Sequence, residues 1–174
     1  MINLVYSNII RYANNNDFDW VSNIIEKALK SFYNSNHLSR ARQIFNTCVG
    51  QDKDIFGDAS VGQCLAVAEE QDRRVGLVYL VEKKSTIKIS LLVVQEASCG
   101  NGVGRNLLGY VEQYAFDRGI RKLYCKIATT NAKGLQFLIR NGFSVVGTAQ
   151  KRHRRQIVKQ SMLFKQLDDN ACAV

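Results

Sequence analysis

The chain has no proline. Turns and helix stops must therefore come from glycine and short polar clusters. It has no apolar run approaching the roughly 20 residues that cross a bilayer, so no membrane association is expected. The N-terminal MINLVYSNIIRY lacks the basic start, long apolar centre and small-residue cleavage site of a secretory signal. A cytoplasmic protein is the resulting expectation. Five cysteines are present, Cys48, Cys64, Cys99, Cys125 and Cys172, but they are odd in number, widely spaced and never in a CxxC pair. That spacing excludes a disulfide framework or zinc site as the natural reading, and no metal is expected. Only two histidines occur, His37 and His153. No internal repeat, low-complexity segment or linker is visible. The expectation is a single domain over residues 1–167 with a frayed tail at 168–174.

What is present is positive charge, and it is unevenly placed. The formal net charge is +9. Residues 1–100 carry 11 Lys/Arg and 11 Asp/Glu, whereas residues 101–174 carry 13 Lys/Arg against 4 Asp/Glu. The whole excess lies in the second part. Such a balance suggests an anionic partner, most often phosphate, and does not separate nucleic acid from a phosphorylated small molecule.

Periodicity gives an element order. Ser7–Ala13 reads as a first strand. Asn16 or Asp17 can cap a helix through Phe18, Val21, Ile24, Ile25 and Leu29. A second helix is expected near Leu38–Thr47, then a loop over the acidic Asp52–Ser60. Cys64–Glu70 and Arg74–Lys83 form a hairpin around QDRR, and Ile87–Val94 is the next strand. A helix over 102–118, a strand at Lys122–Ile127 and a helix capped by Thr130 or Asn131 follow. Phe143–Thr148 and Gln156–Lys165 are the last strands. The order β-α-α-β-β-β-α-β-α-β-β implies a mixed sheet with two right-handed crossovers.

One stretch invites a ligand. In VVQEASCGNGVGRNLL, Gly100, Gly102 and Gly104 lie between a strand and a helix. The first N–H groups of a helix lack internal partners and carry partial positive charge, and glycine lets an anion approach closely. Arg105 in the first turn would add a charged contact. By spacing alone the segment is either a phosphate cradle or a tight turn. It is not a Walker A loop, since no GKS or GKT follows, and the G-x-G-x-G spacing is not the dinucleotide fingerprint.

Two motifs together resemble the GNAT family of acetyl-CoA-dependent N-acetyltransferases. The first is the family's Q/R-x-x-G-x-G/A, here Cys99, Gly100, Asn101, Gly102, Val103 and Gly104. The second is NAKGLQFLIRNGF, where Asn131, Gly134, Phe137, Leu138, Gly142 and Phe143 occupy the family's positions. The element order matches as well, from about Ile9 to Leu167. The resemblance implies an α/β (α+β) fold: a mixed, mostly antiparallel sheet, helices on both faces, and a V-shaped splay between the fourth and fifth strands. It implies acetyl-CoA as co-substrate, with its pyrophosphate on the backbone from Gly100 to Arg105. It also implies pairing of the pantetheine arm along Leu92, Val93 and Val94, with further contacts from Asn131 and Phe137. The expected reaction is transfer of acetyl to a primary amine by direct attack.

The pattern departs from the family at three places. Cys99 replaces a Gln or Arg, Glu96 replaces a common proline, and Leu138 stands where a tyrosine often protonates the departing thiolate. Leucine cannot donate a proton. Ser90 could order a water, Tyr124 could act as acid, and His153 in KRHRR could act as base; each also reads as an ordinary packing or loop residue. His37 is a further candidate on the acceptor side. An N–H of Val93 or Val94 would polarise the thioester carbonyl. The run Lys151–Arg155 is either a solvated turn or a recognition element for an acidic acceptor, aminoacyl-tRNA included. A non-catalytic CoA-binding module is the alternative from another class. The exposed edge expected at Gln156–Lys165 leaves monomer and homodimer both open.

Overall fold

A computed structural model describes residues 8–30, 38–49, 62–153 and 156–168. His37, Asp52–Ser60, Arg154, Arg155 and Cys172 lie outside the described residues. Seven strands form one sheet: β1 (Ile9–Tyr12), β2 (Gln63–Glu70), β3 (Arg73–Lys83), β4 (Thr86–Val94), β5 (Lys122–Ala128), β6 (Ser144–His153) and β7 (Gln156–Gln166). The helices are α1 (Phe18–Lys30), α2 (Leu38–Val49), α3 (Val103–Asp117) and α4 (Ala132–Arg140). Strand order is β1-β2-β3-β4-β5-β7-β6. Among the described residues, only β4 and β5 pair in parallel.

The two sheet faces bury separate cores. Val103, Leu107, Leu108 and Val111 of α3 pack with Leu138 of α4 against Val78, Ile87, Leu123 and Cys125. On the other face, Val21, Ile24 and Ile25 of α1 and Ile44 and Phe45 of α2 cover Leu65, Val67, Leu77 and Tyr79. Apolar residues recurring every three or four positions put each helix on its face.

Three details differ from the sequence expectation, and the hairpin turn is sharper than expected. Within QDRR the turn is two residues, Gln71 and Asp72, with φ of 49° and 60°. That left-handed pair suits the twist of adjoining strands. Asn14, rather than Asn16 or Asp17, provides the cap before α1: its side chain accepts from Asn16 N–H at 2.9 Å over the short 3-10 turn Asn15–Asp17. β6 runs on to His153, so Lys151, Arg152 and His153 belong to a strand and not to a loop. Finally, Gln156–Gln166 is not the edge: it sits between β5 and β6, and β6 is the outer strand. Pairing with β5 through seven residues, from Lys122↔Gln166 to Ala128↔Gln160, draws it inward.

Asp17 is fully buried and anchors the start of α1 to the sheet. It accepts from Arg11 at 2.7 and 3.0 Å, from Arg74 Nε at 2.5 Å and from Asn14 N–H at 2.8 Å. Burial alone would raise its pKa. The hydrogen bonds from Arg11, Asn14 and Arg74 outweigh burial and hold the carboxyl well below the usual carboxylate range. The network reaches the glycine segment. With its amide oxygen towards α1, Gln95 accepts from Trp20 Nε1 at 2.9 Å and donates to Arg74 O at 3.2 Å.

Candidate active site

The site begins with a single extra residue. Leu80 of β3 pairs with Ile89 and Tyr79 pairs with Leu91, so Ser90 has no partner across the ladder. Such a bulge bends and twists its strand. It also exchanges faces. Before it, Ile87 and Ile89 point to α3; after it, Leu92 and Val94 do, while Leu91 and Val93 turn towards α1. Pairing between β4 and β5 covers Ile87↔Leu123, Lys88↔Tyr124 and Ile89↔Cys125 and stops there. Beyond that point the strands diverge, and the expected splay is present.

A groove of about 190 Å³ occupies the divergence. Ser90, Leu92 and Val93 line one wall, and Cys125 and Lys126 the other. Asn131, Phe137 and Leu138 close it from α4, and Ala28 and Leu29 from α1. Gln95 N–H bonds Val75 O of β3 at 2.8 Å. Peptide groups alternate sides along a strand, so those of Val94 and Leu92 point the other way, into the opening. That of Val93 faces β3.

The glycines divide their work. Gly100 and Gly102 have φ of 88° and 85°, in the left-handed region where a side chain is disfavoured. Gly102 caps α3 without any side-chain hydrogen bond, and the first intrahelical bond is Asn106 N–H to Gly102 O at 3.0 Å. The N–H groups of Val103, Gly104 and Arg105 precede that bond and so lack a helical acceptor. Gly104 instead solves a packing problem: a Cβ there would lie 3.1 Å from Phe137 Cζ. Phe137 lines the groove, so the loop and the groove are joined through this contact. Arg105 is exposed in the first turn.

On α4, the Asn131 side chain accepts from Gly134 N–H at 2.9 Å and caps the helix. Leu138 is buried against the groove and brings no proton. Cys125 also faces the groove, and burial pushes its thiol up to about 12. Cys99 is exposed, with its sulfur 3.4 Å from Gln95 O. Glu96 is turned away from the groove. It lines a second hollow of about 580 Å³ with Trp20, Asn23 and Lys27 of α1.

A family model for the acetyltransferase (GNAT) domain matches residues 10–157. The chain belongs to the GNAT family. It is accordingly an acyltransferase, of a family that takes its acyl group from acetyl-CoA. Solved structures agree on the fold. A ribosomal-protein-alanine N-acetyltransferase from Brucella melitensis superposes with a TM-score of 0.72 at 20% identity, over 91% of this chain and 99% of that one. Ard1 from Thermoplasma volcanium gives 0.72 at 15% identity, over 93% and 99%. A GNAT family acetyltransferase from Elizabethkingia anophelis, with acetyl-CoA bound, gives 0.53 at 18% identity, over 60% and 76%. No curated protein matches the chain in sequence.

Within this GNAT domain, the anticipated residues fall into three groups. Ser90, Leu92, Val93, Asn131 and Phe137 share the groove. The segment from Cys99 to Arg105 leads into it through Gly104. Tyr124 and His153 lie apart. Tyr124 is on the opposite face of β5 from Cys125, and His153 ends β6, the outer strand. Sequence reasoning missed the α1 wall and the bulge. A signal for the bulge existed: the alternation of Ile87 and Ile89 gives way at Ser90 to the unbroken LLVV.

Proposed function

We propose that the protein transfers the acetyl group of acetyl-CoA to a primary amine by direct attack in a ternary complex. The observation that carries this reading is the continuity from a helix N-terminus without a side-chain cap, through the Gly104–Phe137 contact, into a groove opened by the Ser90 bulge. Free amides at Val103, Gly104 and Arg105 suit a pyrophosphate. The Leu92 and Val94 peptide groups suit an amide-bearing arm laid along β4 as an added strand. Acetyl-CoA supplies the reactive acyl thioester. The Val94 peptide N–H, which points into the opening, would polarise its carbonyl, in preference to Val93, whose peptide group points towards β3.

The chain offers little acid–base help. Among the described residues, no carboxylate lines the groove. Ser90 can hold a water that takes the amine proton. The Cys125 thiol, at about 12, is a weak acid for a thiolate whose conjugate acid has an ordinary value near 8.5. The leaving thiolate therefore takes its proton from water.

Calorimetric titration with acetyl-CoA, followed by CoA release with added amines, tests the reading. Saturable binding and amine-dependent release are expected. Gly102→Glu carries the local strain of a left-handed φ but meets no neighbouring atom, and its carboxylate at the cradle should abolish binding, with thermal unfolding checking that the protein stays folded. Unchanged affinity in that variant would overturn the assignment of the loop.

A further inference from the structure

The acceptor side of the splay carries a cluster of cations that the reaction itself does not use. Lys88 precedes Ser90 by two residues, and its side chain projects from the face opposite Ile87 and Ile89. It is half-buried. Tyr124 is its parallel partner on β5, and Lys126 follows on the same face with its Nζ 5.9 Å from the Tyr124 ring. Lys126 also lines the groove. Burial lowers the Lys88 pKa, and the like charges of Lys83, Lys126, Lys151 and Arg40 lower it further.

Four cations of the protein meet carboxylates. Arg11 and Arg74 meet Asp17, Arg118 meets Glu82, and Lys165 meets Glu112 at 2.6 Å. Among the described residues, no ion pair includes Lys88, Lys126 or Lys151. A half-buried ammonium ringed by like charges is unfavourable, and an anion seated among them would relieve both burial and repulsion. The position is informative as well. The glycine cradle and α4 occupy one side of the opening, which leaves the α1 side, where these lysines stand, to the second reactant. Lys88 and Ser90 are two positions apart, about 7 Å along β4. That is the span of a small molecule.

We propose that the acceptor is a small amine carrying a carboxylate or phosphate, and that Lys88 and Lys126 hold this anionic group while the amine enters the splay beside Ser90. This deepens the acetyltransferase reading and rests on it for the reaction. The anion site itself is a separate claim about the lysines.

The test uses the full chain and a matched set of probes: an n-alkylamine, its ω-carboxylate, its ω-phosphate and the ω-diamine. CoA release is measured for each with saturating acetyl-CoA, and binding of each by calorimetry with and without acetyl-CoA. The expected result is a kcat/KM at least ~10-fold higher for the anionic amines than for the n-alkylamine, carried mostly by KM. Whichever of the two anions gives the lower KM identifies the group. Lys88→Met and Lys126→Met should each remove most of that preference, and Lys88→Arg should restore it. Lys88→Met and Lys88→Arg should keep the affinity for acetyl-CoA, which shows that they are folded; folding of Lys126→Met, whose residue lines the groove, is checked by thermal unfolding. Equal or better use of the n-alkylamine or diamine would overturn the proposal. So would an anionic preference that survives both methionine variants, or turnover of aminoacyl-RNA with the free anionic amines inert. Failure to bind acetyl-CoA would instead remove the acetyltransferase reading. The titration without acetyl-CoA would then decide the anion site: selective, Lys88-dependent binding of the anionic amines sustains it, and none overturns it.

Discussion

Gly104 and Phe137 stand in contact so close that a single methyl group would separate them: a Cβ on Gly104 would sit 3.1 Å from Phe137 Cζ and 3.2 Å from Cε2. The first turn of α3 is thereby seated on the ring that walls the groove. Gly104→Ala should shift Phe137 and weaken acetyl-CoA binding several-fold. The alanine gains about 1 kcal/mol of helix propensity, which offsets part of the overpacking, so global stability should change by less than about 2 kcal/mol. Calorimetry and denaturant unfolding on the same sample separate the two effects.

Gly134 makes the opposite trade. A Cβ there would fall 2.6 Å from Ile127 Cδ1 and 2.8 Å from Asn131 Nδ2. Gly134→Ala should therefore displace the Asn131 cap and disturb the β5 wall together. A loss of about 1–3 kcal/mol is expected from the cap and the overpacking. The KM for acetyl-CoA should rise as well. A variant of native stability and native KM would show that the Asn131 side chain plays no part in shaping the groove.

Asp17 should be the most costly single change outside the groove. Asp17→Asn leaves Arg11 and Arg74 facing a neutral group in a buried setting. About 2–4 kcal/mol should be lost, somewhat less than for a fully desolvated pair because both arginines keep part of their surface in water. Acid behaviour carries the sign. The folded-state pKa of Asp17 is depressed. Its stabilisation is thus complete above the unfolded carboxylate value, near 3.9, and disappears as pH falls below that value towards the folded one. Unfolding free energy measured from pH 6 to pH 2 should drop more steeply in the native protein than in Asp17→Asn.

Thiol labelling should follow exposure. In a Cys172→Ser background, Cys99 is the exposed thiol among the described cysteines, while Cys48, Cys64 and Cys125 are buried. At pH 7.5 one thiol should react with iodoacetamide promptly, and mass mapping should place it at Cys99. Cys125 should resist until the protein unfolds, since burial keeps its pKa near 12. Prior loading with acetyl-CoA should slow labelling at Cys99, because that residue opens the cradle.

The element order was legible because the strongly periodic segments are long: α3 and β2–β4 lie within a residue or two of where periodicity puts them. Gly100, Gly102 and Asn131 were readable for a different reason, since left-handed turns and helix caps are local events with narrow residue preferences. What stayed hidden depends on residues distant in the chain. Asp17 looked like a cap because nothing nearby reveals that Arg74 lies across the sheet from it. Gln156–Gln166 looked like an edge because chain order does not disclose insertion of β7 beside β5. Lys88 attracted no notice as one lysine in IKIS; its significance comes from cations brought in by β3, β5, β6 and α2.

Ser90 acts on the sheet as an inserted letter acts on a reading frame. Everything after it in β4 is shifted to the alternate face, and Leu91–Val94 pack correctly only in the shifted phase. A substitution at position 90 therefore interrogates a hydroxyl and leaves the phase untouched. Deleting the residue would leave Leu91–Val94 on the faces they now occupy, because Leu91 would follow Ile89 directly in a regular ladder, and would remove the bend from which the cleft opens. The width of the opening is thus encoded by the count of residues between Ile89 and Gln95, and chain length there is under tighter constraint than side-chain identity.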